Sequence, residues 1–171
     1  WHILEMLNTD PHLYPPIPLK DFYELVEILS DRIIAASNSV KEDIQQFITS
    51  PKIQVVHTGV ERSSKATVKR QKNTVFGVSE DTFIVSFVGA LSRRKGIEDL
   101  IQCVPAVLTR NPSAQFMIAG QDADRGAVVR KQISKYGLNR SNHLLGFRSD
   151  VEDIIAASDV FVLPTLSDPL P

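Results

Sequence analysis

Apolar residues along the chain fall into short continuous runs and into stripes spaced three and four apart, and the two patterns follow one another in order. In the second half, 83–88 is a run of apolar and β-branched residues suited to a strand buried on both faces. The runs 115–119, 143–146 and 160–163 predict three further strands. Between them, Ile97, Leu100, Ile101, Val104, Val107 and Leu108 mark a helix, which Pro105 is expected to kink. Val128, Val129, Ile133 and Tyr136 mark another, closed by Gly137. Asp150 stands where it can cap a brief helix carrying Val151, Ile154 and Ile155. Strand and helix in strict alternation require βαβ crossovers, so the expected class is α/β with a parallel sheet and flanking helices.

The first half is shorter in its elements. Four prolines, Pro11, Pro15, Pro16 and Pro18, predict an irregular opening. Asp21 to Leu29 is expected to be helical, with Phe22, Leu25, Val26 and Leu29 on one stripe. Arg32–Ala36 and Ile53–Val56 are expected strands. Between them Ser39, with Glu42 three residues on, has the spacing of a capping box ahead of Val40, Ile44, Phe47 and Ile48. From Arg62 to Lys72 the chain is basic and nearly free of large apolar residues, which predicts a solvated linker. The organisation expected is therefore an α/β portion over 1–60, a linker over 61–75 and a second domain over 76–171. The chain stops soon after its last expected strand, and is expected to be a segment of a longer protein.

Composition narrows the function. Nineteen Lys and Arg against twenty Asp and Glu give a formal charge of −1, which argues against binding nucleic acid by bulk positive charge. The 43 % hydrophobic content is that of a folded domain rather than a disordered one. No stretch is apolar over the ~20 residues that a membrane span needs. The single cysteine, Cys103, falls beside a helix stripe and is expected in the core; without an internal disulfide, the cytosol is the simplest compartment. Histidines at 2, 12, 57 and 143 show no metal-ligand spacing.

In an open parallel sheet, ligands bind beyond the carboxyl ends of the strands. The first such end is Gly89-Ala90-Leu91-Ser92-Arg93-Arg94-Lys95-Gly96. It joins a strand to a helix N-terminus, where free N–H groups and the helix dipole favour an anion, and it carries three adjacent cations. It is neither a Walker loop nor a dinucleotide fingerprint. The other ends are Gly120-Gln121-Asp122, where turn-forming is the favoured reading, Gly146 to Val151, able to offer an apolar floor to a flat ring, and Pro164 to Pro169. Asp168 there is a turn former or an acceptor for sugar hydroxyls, and local sequence leaves the two even.

Taken in order, these ends resemble the family-4 (group 1) retaining glycosyltransferases of the GT-B fold. Phe87-Val88-Gly89-Ala90-Leu91 through Lys95-Gly96 resembles the family's donor-diphosphate loop, and Phe116 to Gly120 its next strand and turn. Leu145 to Val151 resembles the loop near the nucleotide base. Ala157 to Pro164, leading to Ser167-Asp168-Pro169, resembles the start of its acidic sugar-binding motif. Asp31–Ser37 and Lys52–Val60 resemble the end of the acceptor domain and the crossover between domains.

The resemblance implies an incomplete Rossmann-like donor domain and a nucleotide-diphosphate sugar as donor. It implies no cofactor and no metal. Lys95, Arg94 and Asp168 would be catalytic, Lys95 neutralising the departing diphosphate. Gly89, Arg93, Gly120, Arg148, Val151 and Leu166 would bind the donor, with Arg148 and Val151 flanking the base. The acceptor would be a sugar, a polysaccharide or a lipid-linked group, with no nucleic-acid partner. A cytoplasmic protein follows, with peripheral membrane contact open to a longer parent.

Three departures from the family stand out. Ala90 replaces the usual arginine after the loop glycine, Asp168 replaces the usual glutamate, whose second acid would fall past residue 171, and the acceptor-side catalytic groups are expected in an N-terminal domain mostly outside this chain. The segment alone is expected to bind donor weakly and not to turn over. Two other readings remain: a non-catalytic nucleotide-sugar or phosphate-binding module, and another GT-B enzyme such as a sugar-nucleotide epimerase.

Overall fold

The computed structural model describes residues 1–3, 7, 15–59 and 71–168. Residues 4–6 and 8–14 of the proline-rich opening and the basic run 62–70 lie outside the described residues. By compactness the chain forms two units, Trp1–Glu61 with Ser167–Pro171, and Arg62–Leu166.

The first unit holds a three-stranded parallel sheet, β1 (His2–Ile3), β2 (Ile33–Ala35) and β3 (Ile53–Val55), in that order, with His2 opposite Ile34 and Ile34 opposite Gln54. Helix α1 (Leu19–Leu29) buries Tyr23 and Val26, with Leu19 and Phe22 packed on the same core. The expected stripe is thus displaced: Leu25 is 48 % and Leu29 72 % exposed. The aromatic residues decide this. Tyr23 stacks on Phe47 at 5.4 Å and meets Phe22 edge-on, so the helix turns its rings inward rather than its leucines. Helix α2 (Asn38–Gln45) is capped by Ser37, not Ser39; Val40 N donates to Ser37 Oγ at 3.2 Å. Ser37 has the extended backbone a cap needs, and Ser39 already lies within the first turn.

The second unit is built on β4 (Ile84–Val88), β5 (Gln115–Ala119), β6 (Asn142–Gly146) and β7 (Val160–Phe161), all parallel, in the order β6-β5-β4-β7. Helix α3 (Lys72–Phe76) precedes the sheet; α4 (Ile97–Arg110), α5 (Gly126–Lys135) and α6 (Val151–Ala156) are its crossovers. The core is Phe87, Ile97, Ile101, Val104, Phe116 and Ile118 with their neighbours, residues that the periodicity marks as inward. Helix α4 runs through Pro105 unbroken. Pro105 itself lies on the exposed face of α4, while Ile101, whose carbonyl loses its i→i−4 partner, is fully buried.

Two expectations fail here. Cys103 is exposed, because the α4 stripe through Leu100, Ile101 and Val104 turns it outward. Lys72, the last cation of the supposed solvated run, is 4 % exposed and opens α3. Its ammonium donates to Thr82 O and Asp159 Oδ2, each at 2.6 Å. A neighbouring carboxylate and carbonyl make burial of that charge affordable.

Candidate functional site

The strand order reverses between β4 and β7: β5 and β6 are laid down on one side of β4, and α6 then carries the chain back to the other. Crevices at such switch points are the usual ligand sites of open parallel sheets. The loops that leave the carboxyl ends are stitched together there. Gly89 N donates to Ala119 O at 3.0 Å, Gly120 N to Gly146 O at 2.8 Å, and Leu91 N to Gln121 O at 2.9 Å. On the β7 side, Leu166 N (2.8 Å) and Thr165 Oγ1 (3.1 Å) both donate to the carbonyl of Arg94.

Two glycines make this stitching possible. A Cβ at Gly120 would lie 1.7 Å from Gly89 O, and one at Gly96 would lie 1.8 Å from Pro164 O. Gly96 also adopts φ +67°, the left-handed turn that starts α4. Gly89 itself has ordinary room, with Phe87 and Leu163 side chains at 3.4 and 3.6 Å from an added Cβ.

Arg93, Arg94 and Lys95 form one 3₁₀ turn ahead of Gly96. With three residues per turn, successive side chains project roughly 120° apart, so the cations do not share one face. Arg93 is exposed and lines a cleft of about 270 Å³ with Glu98, Asp99, Gln102, Arg125 and Leu166. Arg94 and Lys95 are half-buried. A second cleft, of about 240 Å³, lies over β4, β5 and the loop after β6. Gly89, Ala90, Gly120, Gln121, Phe147, Arg148 and Val151 line it. The structure therefore brings Gly89, Gly120, Arg148 and Val151 together, and sets Arg93 and Leu166 together elsewhere. Asp168 is half-buried and groups with the first unit.

Within the second cleft the charge is fixed by one pair. Arg148 donates from Nε to Asp150 Oδ1 at 2.7 Å and from Nη2 to Asp150 Oδ2. The hydrogen bond holds the Asp150 carboxyl below its ordinary value and the guanidinium above its own. Asp150 precedes α6 but makes no side-chain cap to it; two bonds to an arginine outcompete one to a backbone amide.

Asp122, after β5, is held by Arg130 at 2.7 Å and lies against Gly126, where a Cβ would fall 1.7 Å from Oδ1. That acid is a structural turn residue. Among the described residues no three His, Cys, Asp or Glu side chains gather as metal ligands, and no helix is long and apolar enough to cross a membrane.

The sequence names Ala90 and Gln121 within strand-end loops but gives neither a binding role; both enter the cleft because β4 and β5 are adjacent. Thr165 acts through a bond to a residue 71 positions away, beyond any local pattern.

The second unit is thus a doubly wound parallel α/β domain with a cleft at its switch point. Residues 68–171 match the family model for glycosyl transferases group 1, and the chain belongs to that family. Its fold is that of GT-B glycosyltransferases. Over 164 residues it is 28 % identical to the UDP-Gal:alpha-D-GlcNAc-diphosphoundecaprenol alpha-1,3-galactosyltransferase of Escherichia coli, covering 90 % of this chain and 42 % of that protein. It is 28 % identical over 153 residues to the uncharacterized glycosyltransferase MJ1607 of Methanocaldococcus jannaschii, covering 82 % of this chain and 38 % of that one. Among solved structures, Anabaena Alr3699/HepE in complex with UDP and glucose superposes with a TM-score of 0.75 at 22 % identity, over 98 % of this chain and 47 % of that one. The chain thus spans about two fifths of the curated relatives named.

Proposed function

We propose that this chain carries the donor-binding part of a glycosyltransferase that moves a sugar from a nucleoside-diphosphate sugar to an acceptor with retention of configuration. The observation that carries the reading is the Gly89–Gly96 loop, which runs from the carboxyl end of β4 into the N-terminus of the fourteen-residue helix α4 at the switch point.

Transfer breaks the bond between the sugar's anomeric carbon and the diphosphate, and negative charge grows on the leaving oxygen. Free amides at the start of α4, Lys95 and Arg94 would stabilise that charge without a metal. Gly89 and Gly120 keep the cleft floor free of side chains for the diphosphate, Arg93 and Leu166 border the loop from its other side, and Arg148 and Val151 flank the base. The Escherichia coli relative is named for a diphosphoundecaprenol-linked acceptor, which supports a lipid-linked acceptor here and a protein working at the membrane periphery.

Titration calorimetry of the 171-residue chain with UDP, GDP and ADP and with the matching monophosphates tests this. At least one diphosphate should bind more tightly than its monophosphate, and Lys95→Ala should remove that advantage. Equal binding of mono- and diphosphates, unchanged by Lys95→Ala, would overturn the phosphate role of the loop. One feature favours a second reading, a module that binds nucleotide sugars without transferring them: Ala90 puts a methyl group on the cleft wall where a cation could stand. Sugar transfer by a longer parent carrying this sequence decides between the two.

A further inference from the structure

Arg148 is the only charged side chain among the described residues that line the 240 Å³ cleft. Its charge is already met by Asp150 through two hydrogen bonds. A guanidinium has five N–H donors, and this side-on pair uses one on Nε and one on Nη2. Three donors remain, two on Nη1 and one on Nη2, held in one plane by the carboxylate behind them. Such a pair has no net charge, so it gains little from a diphosphate, which the carboxylate repels. What it offers is a rigid edge made only of donors. Next to it, Phe147 lines the same cleft with 74 % of its surface exposed. Aromatic faces stack on any base, so Phe147 gives affinity without choice. Gln121, which lines the same cleft, carries both a donor and an acceptor and fits either kind of base.

Building on the donor-site reading above, we propose that the Arg148–Asp150 pair selects the nucleotide by its base, accepting oxo bases, uracil or guanine, and rejecting the amino base adenine. Uracil presents the O4 carbonyl as an acceptor at the corner of its ring, and guanine presents O6 beside N7, either of which can accept from the donors of Arg148. Adenine presents an amino group at the corresponding position, which sets donor against donor. Asp150 is a positioning residue: it fixes the plane of the guanidinium and cancels its charge, so that shape and donor pattern, not charge, decide what binds.

The experiment compares UDP, GDP and ADP on the 171-residue chain and on three variants, with inorganic pyrophosphate as a base-free probe. UDP or GDP should bind about tenfold or more tighter than ADP. Arg148→Ala should bring that ratio near one, weakening UDP and GDP and relieving the donor–donor clash with ADP. Arg148→Lys, which keeps the charge and loses the planar fork, should do the same. Asp150→Asn should free the guanidinium's charge, strengthening pyrophosphate several-fold while lowering the base ratio. Far-ultraviolet circular dichroism checks that each variant folds. If ADP equals both oxo nucleotides in the parent chain, or if Arg148→Ala weakens all three alike, the selector role fails while the donor site stands. If neither the nucleotides nor pyrophosphate bind, the donor reading fails and this inference falls with it.

Discussion

The Lys72 ammonium donates to Asp159 Oδ2 at 2.6 Å, joining the first residue of α3 to the residue that leads into β7. The same oxygen accepts from Ile84 N at 2.8 Å, at the start of β4. The Lys72 side chain is 5 % and that of Asp159 22 % exposed. Removing the cation takes the opposite charge from a partly buried carboxylate that keeps its bond from Ile84 N. Lys72→Met is therefore expected to destabilise the second unit by about 2–3 kcal/mol, discounted from a fully buried pair because Asp159 keeps some solvent. Urea denaturation measures it; a loss below about 0.5 kcal/mol would mean that water replaces the ammonium at little cost.

The two glycines of the cleft floor should behave differently. Gly120→Ala drives a methyl group into Gly89 O and is expected to break the β4–β5 loop pairing, lowering both the melting temperature and nucleotide binding. Gly89→Ala meets only ordinary contacts and should fold as the parent does. If it nonetheless loses affinity for diphosphates and keeps it for the nucleoside, the ligand approaches that backbone closely. Normal stability of Gly120→Ala would contradict the geometry.

Asp150 gives a pH dependence of definite sign. Its folded carboxyl is held below the ordinary value of 3.8 by Arg148, so the pair's stabilisation is complete above that value and is lost as pH falls through the folded one. The stability gap between the parent chain and Arg148→Ala should be constant from neutral pH down to about 4 and should close in stronger acid. A gap that persists when Asp150 is protonated would show that the arginine acts by packing instead.

Tyr23 predicts the opposite limb. Burial, reinforced by the Asp43 charge, pushes its hydroxyl well above the ordinary 10.0. A raised value stabilises the fold below pH 10 and withdraws that support as alkali approaches the folded value. Absorbance at the phenolate band should show Tyr23 ionising only together with unfolding. Reversible ionisation of Tyr23 in the folded chain would refute its burial.

Cys103 faces solvent on α4. One equivalent of a thiol reagent should react in the native chain without denaturant and leave nucleotide binding unchanged. Protection of the thiol until unfolding would restore it to the core.

Much of the second unit is legible from the order of apolar runs and stripes. Buried parallel strands such as Ile84–Val88 write themselves as continuous apolar sequence, and α4 shows its inward face through Ile97, Ile101 and Val104. What escapes is decided by partners distant in sequence. Nothing near Lys72 announces that Asp159 will neutralise it. The α1 stripe fits Leu25 and Leu29 as well as Tyr23 until Phe47 supplies a ring to stack on. Asp150 has the local form of a helix cap, and only the facing arginine reassigns it. In the cleft, the glycines stand out from sequence as turn residues, whereas the spread of the three cations around a 3₁₀ turn does not.

A single oxygen, the carbonyl of Arg94, is gripped by both Thr165 and Leu166. The turn bearing the cations and the segment beyond β7 are therefore one mechanical part assembled from two stretches of chain. Anyone grafting this loop onto a homologous scaffold must transplant both stretches, since either alone would arrive without its latch.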